Sequence, residues 1–248
     1  MSDKAPNSQN SAQNPVNIYP PKITHFESLS TLLETAYLSL EENILSTLGH
    51  KGTCRLLFCG GSTPLPLYAK IGKSPVIDWT RLEIFQSDER FIDSKNENSN
   101  QFQIKKSLGD FAVQELETAG NLHLWRTDST VAQALADYDE KLDCLDGVWF
   151  DEAILGIGPD GHIASIFPGS VFVQDAKTIA TQTADFAVAQ RLSLTVESLL
   201  NSEKITVLLT GNKIDVLQEM LEGKLPATQF PAKFLLAHPN LHILTNFE

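Results

Sequence analysis

Cysteine is scarce in this chain: three residues in 248, Cys54, Cys59 and Cys144. An odd count with no metal-type spacing excludes a disulfide framework and points to free thiols in a reducing compartment, so a cytoplasmic location is expected. No apolar stretch reaches membrane-spanning length, and no transmembrane helix is expected. The opening residues MSDKAPNSQNSAQNPVN contain no apolar core of the secretory-signal kind. Positive charge is also short. Lys and Arg number 19 against 31 Asp and Glu, a formal charge of -12. Such a surface excludes nucleic acid and anionic membrane as general partners. An anionic small molecule would need a local basic pocket. Of the six histidines, none has a second ligand at the HxH or HxxxH spacing of a metal site around His162, so no metal is expected.

What remains is an ordinary globular composition, 42% hydrophobic and 20% charged. Residues 1–17 are rich in Asn, Ser, Gln and Pro and read as a disordered polar tail. Residues 18–248 show no linker and no repeat and read as one domain. Apolar positions at Leu29, Leu32, Leu33, Tyr37, Leu40, Ile44 and Leu48 predict an amphipathic helix. Strands are predicted at Cys54–Cys59, Leu82–Phe85, Leu122–Trp125, Ala153–Leu155, Gln190–Leu194, Ile205–Leu209 and Leu241–Leu244. Helices are predicted after Ser62-Thr63-Pro64, over Val131–Leu142, near Val196–Leu200 and from Lys213 to about Leu221. Thr63 is the expected cap of the second helix and Pro64 its first residue. This alternation predicts an α/β fold: an open, mostly parallel, Rossmann-like sheet with helices on both faces, in three layers.

Several predicted strands end in chemically loaded turns. These are Gly60-Gly61-Ser62, Asp88-Glu89-Arg90, Gly156 to His162, and Gly211-Asn212-Lys213. In open parallel sheets ligands bind beyond the carboxyl ends of the strands, so the four turns are expected to converge on one crevice. Gly60, Gly61 and Ser62 offer backbone N–H groups to an anion, although alone they make an ordinary tight turn. Lys213, at a helix start, opposes the helix dipole unless an anion is nearby, which makes it a candidate phosphate clamp, although alone it reads as a surface lysine. Arg90 and Arg191 are candidates for the same clamp or for sugar oxygens, with a structural salt bridge the alternative for Arg191. Asp88 and Glu89 either touch sugar hydroxyls or pair with Arg90. His162, two residues from Asp160 and among glycines, is the candidate proton-transfer group, because imidazole titrates near working pH. Gly156 to Gly161 fits GxGxxG by letter. Pro159 and Asp160-Gly161-His162 suit a catalytic turn better, and neither Asp175 nor Asp185 ends a second strand as a dinucleotide fold requires.

The combination of Gly60-Gly61-Ser62-Thr63-Pro64, Ser87-Asp88-Glu89-Arg90, Ser99-Asn100, Gly156 to Pro168 and Thr210-Gly211-Asn212-Lys213 resembles the 6-phosphogluconolactonase family. That family shares a sugar-phosphate superfamily with glucosamine-6-phosphate deaminases. The resemblance runs in order from about Phe26 to the C-terminus. Two positions separate the branches. Deaminases typically carry Tyr where this chain has Arg90, and a relay glutamate where it has Phe167.

The resemblance implies hydrolysis of 6-phospho-D-glucono-1,5-lactone to 6-phosphogluconate, the second step of the oxidative pentose phosphate pathway, with no cofactor. It implies His162 as general base, Asp160 as its orienting partner or else as a cap of the turn, and Lys213 and Arg191 as phosphate ligands. Backbone N–H groups of Gly60-Gly61, or Arg90, are the candidates for oxyanion stabilisation. The partner is then a phosphorylated sugar lactone. Two other readings are a deaminase of the same superfamily and a non-catalytic sugar-phosphate sensor. Such sensors usually carry a DNA-binding module, for which the polar segment before residue 26 is too short. The oligomeric state has no signal in the sequence.

Overall fold

The computed structural model describes residues 17–173 and 175–247. The polar tail expected over residues 1–17 lies, but for Asn17, outside them. The chain runs through β1 (Lys22–His25), α1 (Leu29–Lys51), β2 (Cys54–Phe58), α2 (Leu65–Ile71), β3 (Leu82–Gln86), β4 (Asp88–Arg90), α3 (Asn100–Leu108), α4 (Asp110–Ala119), β5 (Leu122–His123) and α5 (Val131–Asp143). It continues through β6 (Glu152–Gly156), β7 (Thr178–Gln182), β8 (Gln190–Leu194), α6 (Val196–Leu200), β9 (Ile205–Thr210), α7 (Ile214–Glu222) and β10 (Leu241–Asn246). Short 3-10 helices span Trp79–Arg81 and Pro231–Ala237.

Seven strands form one sheet in the order β1-β10-β9-β6-β2-β3-β5, and every pairing in it is parallel. Parallel strands covered on both faces read as near-continuous apolar runs, as Cys54–Phe58 and Ile205–Leu209 do. Alternate side chains of one strand serve opposite faces. Leu56 and Phe58 join a cluster with α1, α2, α3 and α4, while Leu57 joins a second cluster with α5, α6, α7 and the Pro231–Ala237 turn. β6 divides in the same way, Ile154 to the first cluster and Ala153 and Leu155 to the second. The result is the expected open α/β sheet between helical layers.

A second, three-stranded antiparallel sheet, β4-β8-β7, has no counterpart in the sequence reading. Asp88-Glu89-Arg90 is thus a short strand rather than a turn. After Gln86 the Ser87 N–H donates to the Phe58 carbonyl and the chain leaves the large sheet to pair with β8. The start of α2 also differs. Pro64 precedes its first residue, Leu65, and no side chain caps it. With Pro64 and Pro66 in the first turn, the N–H that Thr63 would cap three residues on does not exist. Helices α3 and α4 and strands β1 and β7 are further elements absent from the sequence reading.

The strand order fixes where a site can form. From β2 the chain proceeds outward through β3 to β5. It then returns to lay β6 on the other side of β2 and proceeds outward through β9 and β10. The order therefore reverses between β2 and β6, and the crevice of such a sheet opens beyond the carboxyl ends of those two strands.

Candidate active site

The loops after β2 and β6 flank a crevice of about 370 Å³ at this reversal point. Gly60, Gly61, Ser62, Asp88, Arg90, His162, Arg191 and Lys213 all line it, together with Asn100, Ser165, Phe167 and Phe186. Of the residues singled out in the sequence as site groups, Asp160 and Glu89 do not line it: Asp160 stands against His162, and Glu89 is buried.

The histidine loop is closed by its own backbone. Gly158 N–H donates to the His162 carbonyl (2.9 Å), and Gly161 N–H donates to the Gly158 carbonyl (3.0 Å). Gly161 has φ +82°, a left-handed conformation that suits glycine. Gly158 is required for a different reason. A Cβ built on it would lie 2.0 Å from His162 Nδ1 and 2.7 Å from Asp160 Oδ1. The imidazole thus packs directly over the glycine backbone. Asp160 Oδ1 accepts from the His162 backbone N–H (3.2 Å) and lies 2.5 Å from His162 Nδ1. Burial acts to raise the Asp160 carboxyl, but the hydrogen bond and charge of His162 outweigh it and hold the group below its ordinary value. An ionised Asp160 can only accept, so Nδ1–H donates to it, and in the neutral imidazole the lone pair is on Nε2.

The turn that follows is strained and tied down. Ala164 has φ +48°, a region that costs an L-residue about 1–2 kcal/mol. Ile166 N–H donates to the Ile163 carbonyl (2.9 Å), Ser165 Oγ donates to Asp88 Oδ2 (2.7 Å), and Thr181 Oγ1 donates to the Ser165 carbonyl (2.6 Å). These bonds join the histidine loop to the small sheet.

The two acidic residues considered for sugar hydroxyls or for Arg90 are otherwise engaged. Asp88 accepts from Ser87 Oγ (2.7 Å) and Ser165 Oγ, and no ion pair joins it to Arg90 among the described residues. Glu89 is a correction. It is fully buried away from the crevice and accepts from the backbone N–H groups of Asn100 (2.6 Å) and Gln101 (2.8 Å) and from Ser99 Oγ (3.0 Å). It therefore neutralises the start of α3, where a carboxylate is favoured by the exposed N–H groups. Burial still pushes its carboxyl above the ordinary range.

Three cations face the same space. Arg90 and Arg191 are directly opposed across the β4–β8 pairing. Arg191 is 5% exposed, and its Nε has no hydrogen-bond partner. Burial lowers its pKa, and the Arg90 charge lowers it further. The structural salt bridge considered for Arg191 is not present among the described residues. Arg90 donates to the Asn98 carbonyl through Nη1 (2.6 Å). Lys213 ends the β9 turn just before α7 and donates to the Ile157 carbonyl (2.8 Å), and burial lowers its pKa. Across the crevice, the N–H groups of Gly60, Gly61 and Ser62 have no acceptor among the described residues. Free backbone donors of this kind suit an anion, and they share the crevice with three cations and a histidine.

Sequence reasoning gave no role to Asn100 or Phe186. Asn100 Nδ2 donates to the Asp88 carbonyl (2.8 Å), while its buried Oδ1 has no partner and packs against Gly60. Phe186 lies in the 183–189 connection of the β7–β8 hairpin, where no periodic pattern marks it. No group of three or more His, Cys, Asp and Glu suited to a metal ion occurs among the described residues. No helix there is long and apolar enough to cross a membrane.

A family model described as glucosamine-6-phosphate isomerases/6-phosphogluconolactonase matches residues 27–243. The chain is similar to the 6-phosphogluconolactonase of Thermotoga maritima, 31% identical over 82% of this chain and 91% of that one. A crystal structure of a 6-phosphogluconolactonase from Thermotoga maritima superposes with a TM-score of 0.79 at 27% identity, covering 92% of this chain and all of the other. A monomeric glucosamine-6-phosphate deaminase superposes nearly as well, TM-score 0.78, at 20% identity over 91% of this chain and 97% of its own. At that identity the likeness is one of fold, so the backbone does not separate the two activities.

Proposed function

The chain belongs to the glucosamine-6-phosphate isomerase/6-phosphogluconolactonase family, and from that premise we propose a His162-based hydrolysis of a phosphorylated sugar lactone. The reaction is the conversion of 6-phospho-D-glucono-1,5-lactone to 6-phospho-D-gluconate in the pentose phosphate pathway. The observation that carries the mechanism is the Asp160–His162 contact of 2.5 Å on a crevice wall shared with Arg90, Arg191 and Lys213.

Asp160 holds Nδ1–H, so Nε2 takes a proton from water as that water attacks C1 of the lactone. The tetrahedral intermediate places negative charge on the former carbonyl oxygen. The free N–H groups of Gly60 and Gly61, or the Arg90 guanidinium, stabilise it. Protonated His162 then returns its proton to the ring oxygen as the C1–O bond breaks, and one imidazole serves both steps. Lys213 and Arg191 hold the 6-phosphate through charge-assisted hydrogen bonds. A cytoplasmic setting suits a pathway of soluble sugar phosphates and two buried, unpaired thiols.

Residue 167 supports lactonase over deaminase. The Phe167 ring centroid lies 5.0 Å from that of His162. A glutamate of the deaminase type at this position would face the imidazole; a phenyl ring accepts no proton. The wild-type protein should release no ammonia from glucosamine 6-phosphate at about 1 s⁻¹ or faster, the scale of ordinary turnover. Release at that rate would overturn the assignment. The direct test is hydrolysis of freshly made 6-phosphogluconolactone, corrected with an enzyme-free control for spontaneous opening. His162→Asn should keep the fold and lower kcat by roughly 10²–10⁴-fold, the usual contribution of a general base. A folded variant with near-wild-type kcat removes His162 from the mechanism.

A further inference from the structure

We propose that Phe186 is a specificity-determining residue, bearing the apolar face of the closed lactone ring and selecting it over the open-chain acid. The inference rests on the lactonase reading above. The crevice is lined mainly by charged and hydrogen-bonding groups, and Phe186 is an exception at its mouth. The residue is 38% exposed and is carried by the connection between β7 and β8, whose base is closed by Thr183 N–H donating to the Ala189 carbonyl. Its ring touches three parts of the site. It stands nearly perpendicular to the His162 imidazole, centroids 5.5 Å apart. It lies 5.8 Å from the Phe167 ring, and the Arg191 guanidinium carbon sits 5.7 Å from its centroid.

These distances constrain where a substrate ring can go. With Nδ1 held by Asp160, the reacting carbon must approach His162 through Nε2. A six-membered lactone whose C1 lies there extends into space bordered by Phe186 and Phe167. The C–H face of such a ring is apolar and rigid, and it matches a flat aromatic surface with little loss of freedom. The open-chain acid has no such face. It is flexible, and its new carboxylate would approach the negative face of the phenyl ring. Phe186 thus favours the lactone and offers the acid no matching contact. Phe167 is buried at 7% and fixed in the core, which leaves Phe186 as the adjustable half of the pair.

The experiment compares wild type, Phe186→Ala and Phe186→Trp. Phe186→Ala should raise KM for 6-phosphogluconolactone about tenfold, the scale of an aromatic contact plus its buried area. Its kcat should stay within about threefold, and its melting temperature should be unchanged because the side chain is partly exposed. Inhibition by 6-phosphogluconate should change less than twofold. Phe186→Trp should restore most of the lost KM. An equal loss of affinity for lactone and acid would mean that the ring acts by sheltering Arg191, and would overturn the proposal. So would an active Phe186→Ala protein within twofold of wild type in kcat/KM. A wild-type protein without hydrolysis above the spontaneous rate overturns the functional reading itself, and this inference with it.

Discussion

Gly158→Ala is the sharpest perturbation of the dyad that leaves both of its members in place. The new Cβ would sit 2.0 Å from His162 Nδ1 and 2.1 Å from Cε1. Ordinary contact of a methyl carbon with a ring atom needs about 3.5 Å. The imidazole must therefore move by roughly 1.5 Å, or the loop must open. Asp160 offers no room, because its Oδ1 lies 2.7 Å from the same Cβ. Misplacement of a catalytic group by about 1 Å costs on the order of 10²-fold in rate. The expected loss in kcat is thus about 10²-fold or more, with an overpacking cost of about 1–3 kcal/mol in stability. Gly156→Ala is the control two residues upstream. Nothing lies within 4 Å of its Cβ and its φ is not positive, so folding and kcat should be close to wild type. Spontaneous-rate-corrected hydrolysis and thermal denaturation of both variants decide the matter. A Gly158→Ala enzyme with kcat within threefold of wild type would falsify the claim that the imidazole is held against that backbone.

Three further perturbations test other parts of the site. Lys213→Ala should weaken binding of the phosphorylated lactone by about 1.5–3 kcal/mol, the value of a charge-assisted hydrogen bond. The penalty should nearly vanish with unphosphorylated gluconolactone, and an equal loss on both substrates would place Lys213 near the reacting carbon or in a structural role. Asp160→Asn should lower kcat on the order of 10²-fold or more by releasing the imidazole tautomer. Its effect on stability has a defined sign. The folded pKa lies below the ordinary value of about 3.9, so the contribution is full above that value and is lost as pH falls through the depressed one. Because the side chain is a third exposed, the melting difference at neutral pH should be small, below about 1 kcal/mol, and should close in acid; a difference that widens in acid would contradict the sign. Among the thiols, Cys144 is exposed, Cys59 is pushed up to about 12 by burial, and burial raises Cys54 further. At about pH 8 native protein should label quickly at Cys144 alone, with Cys54 and Cys59 reacting after denaturation. Fast native labelling of Cys59 would show a more open crevice floor.

The legible parts of the fold share one property, burial on both sides of a parallel sheet. Cys54–Phe58, Glu152–Gly156 and Ile205–Thr210 contain uninterrupted apolar runs that end in glycine turns. The strand-end rule then brought Gly60, His162 and Lys213 to one crevice from distant parts of the sequence. The small sheet was not legible, because β4 is three charged residues paired far along the chain with β8. Local pattern carries no such pairing. Asp88-Glu89-Arg90 accordingly read as a cluster of site residues. The structure divides it, with Arg90 facing the crevice, Asp88 held at its edge by hydroxyl donors and Glu89 turned onto the α3 terminus. α3 and α4 were hidden because Gly109 splits their apolar positions into two short series, Ile104–Leu108 and Ala112–Leu116. Phe186 left no trace because its meaning lies in what it faces, not in any period.

The charge distribution explains how a chain of net charge -12 can serve a phosphorylated substrate. Arg90, Arg191 and Lys213 share one crevice, and among the described residues none of them is within ion-pair distance of a carboxylate. The acids nearest in sequence are satisfied by neutral donors instead: Asp88 by Ser87, Ser165 and Asn100, Glu89 by Gln86, Ser99 and backbone N–H groups. Pairing the cations internally would have cancelled the field in the crevice. The alternative arrangement has a visible cost. Arg90 and Arg191 repel each other across β4 and β8, and a buried Arg191 Nε–H lacks a partner, a deficit of about 1–3 kcal/mol for an unmade hydrogen bond. On the proposed reading, a dianionic phosphate held by Arg191 and Lys213 would supply a partner for the buried guanidinium and offset the repulsion. The repulsion in the cation pair and the affinity for a sugar phosphate would then draw on the same interaction, absent from the fold and available to the substrate.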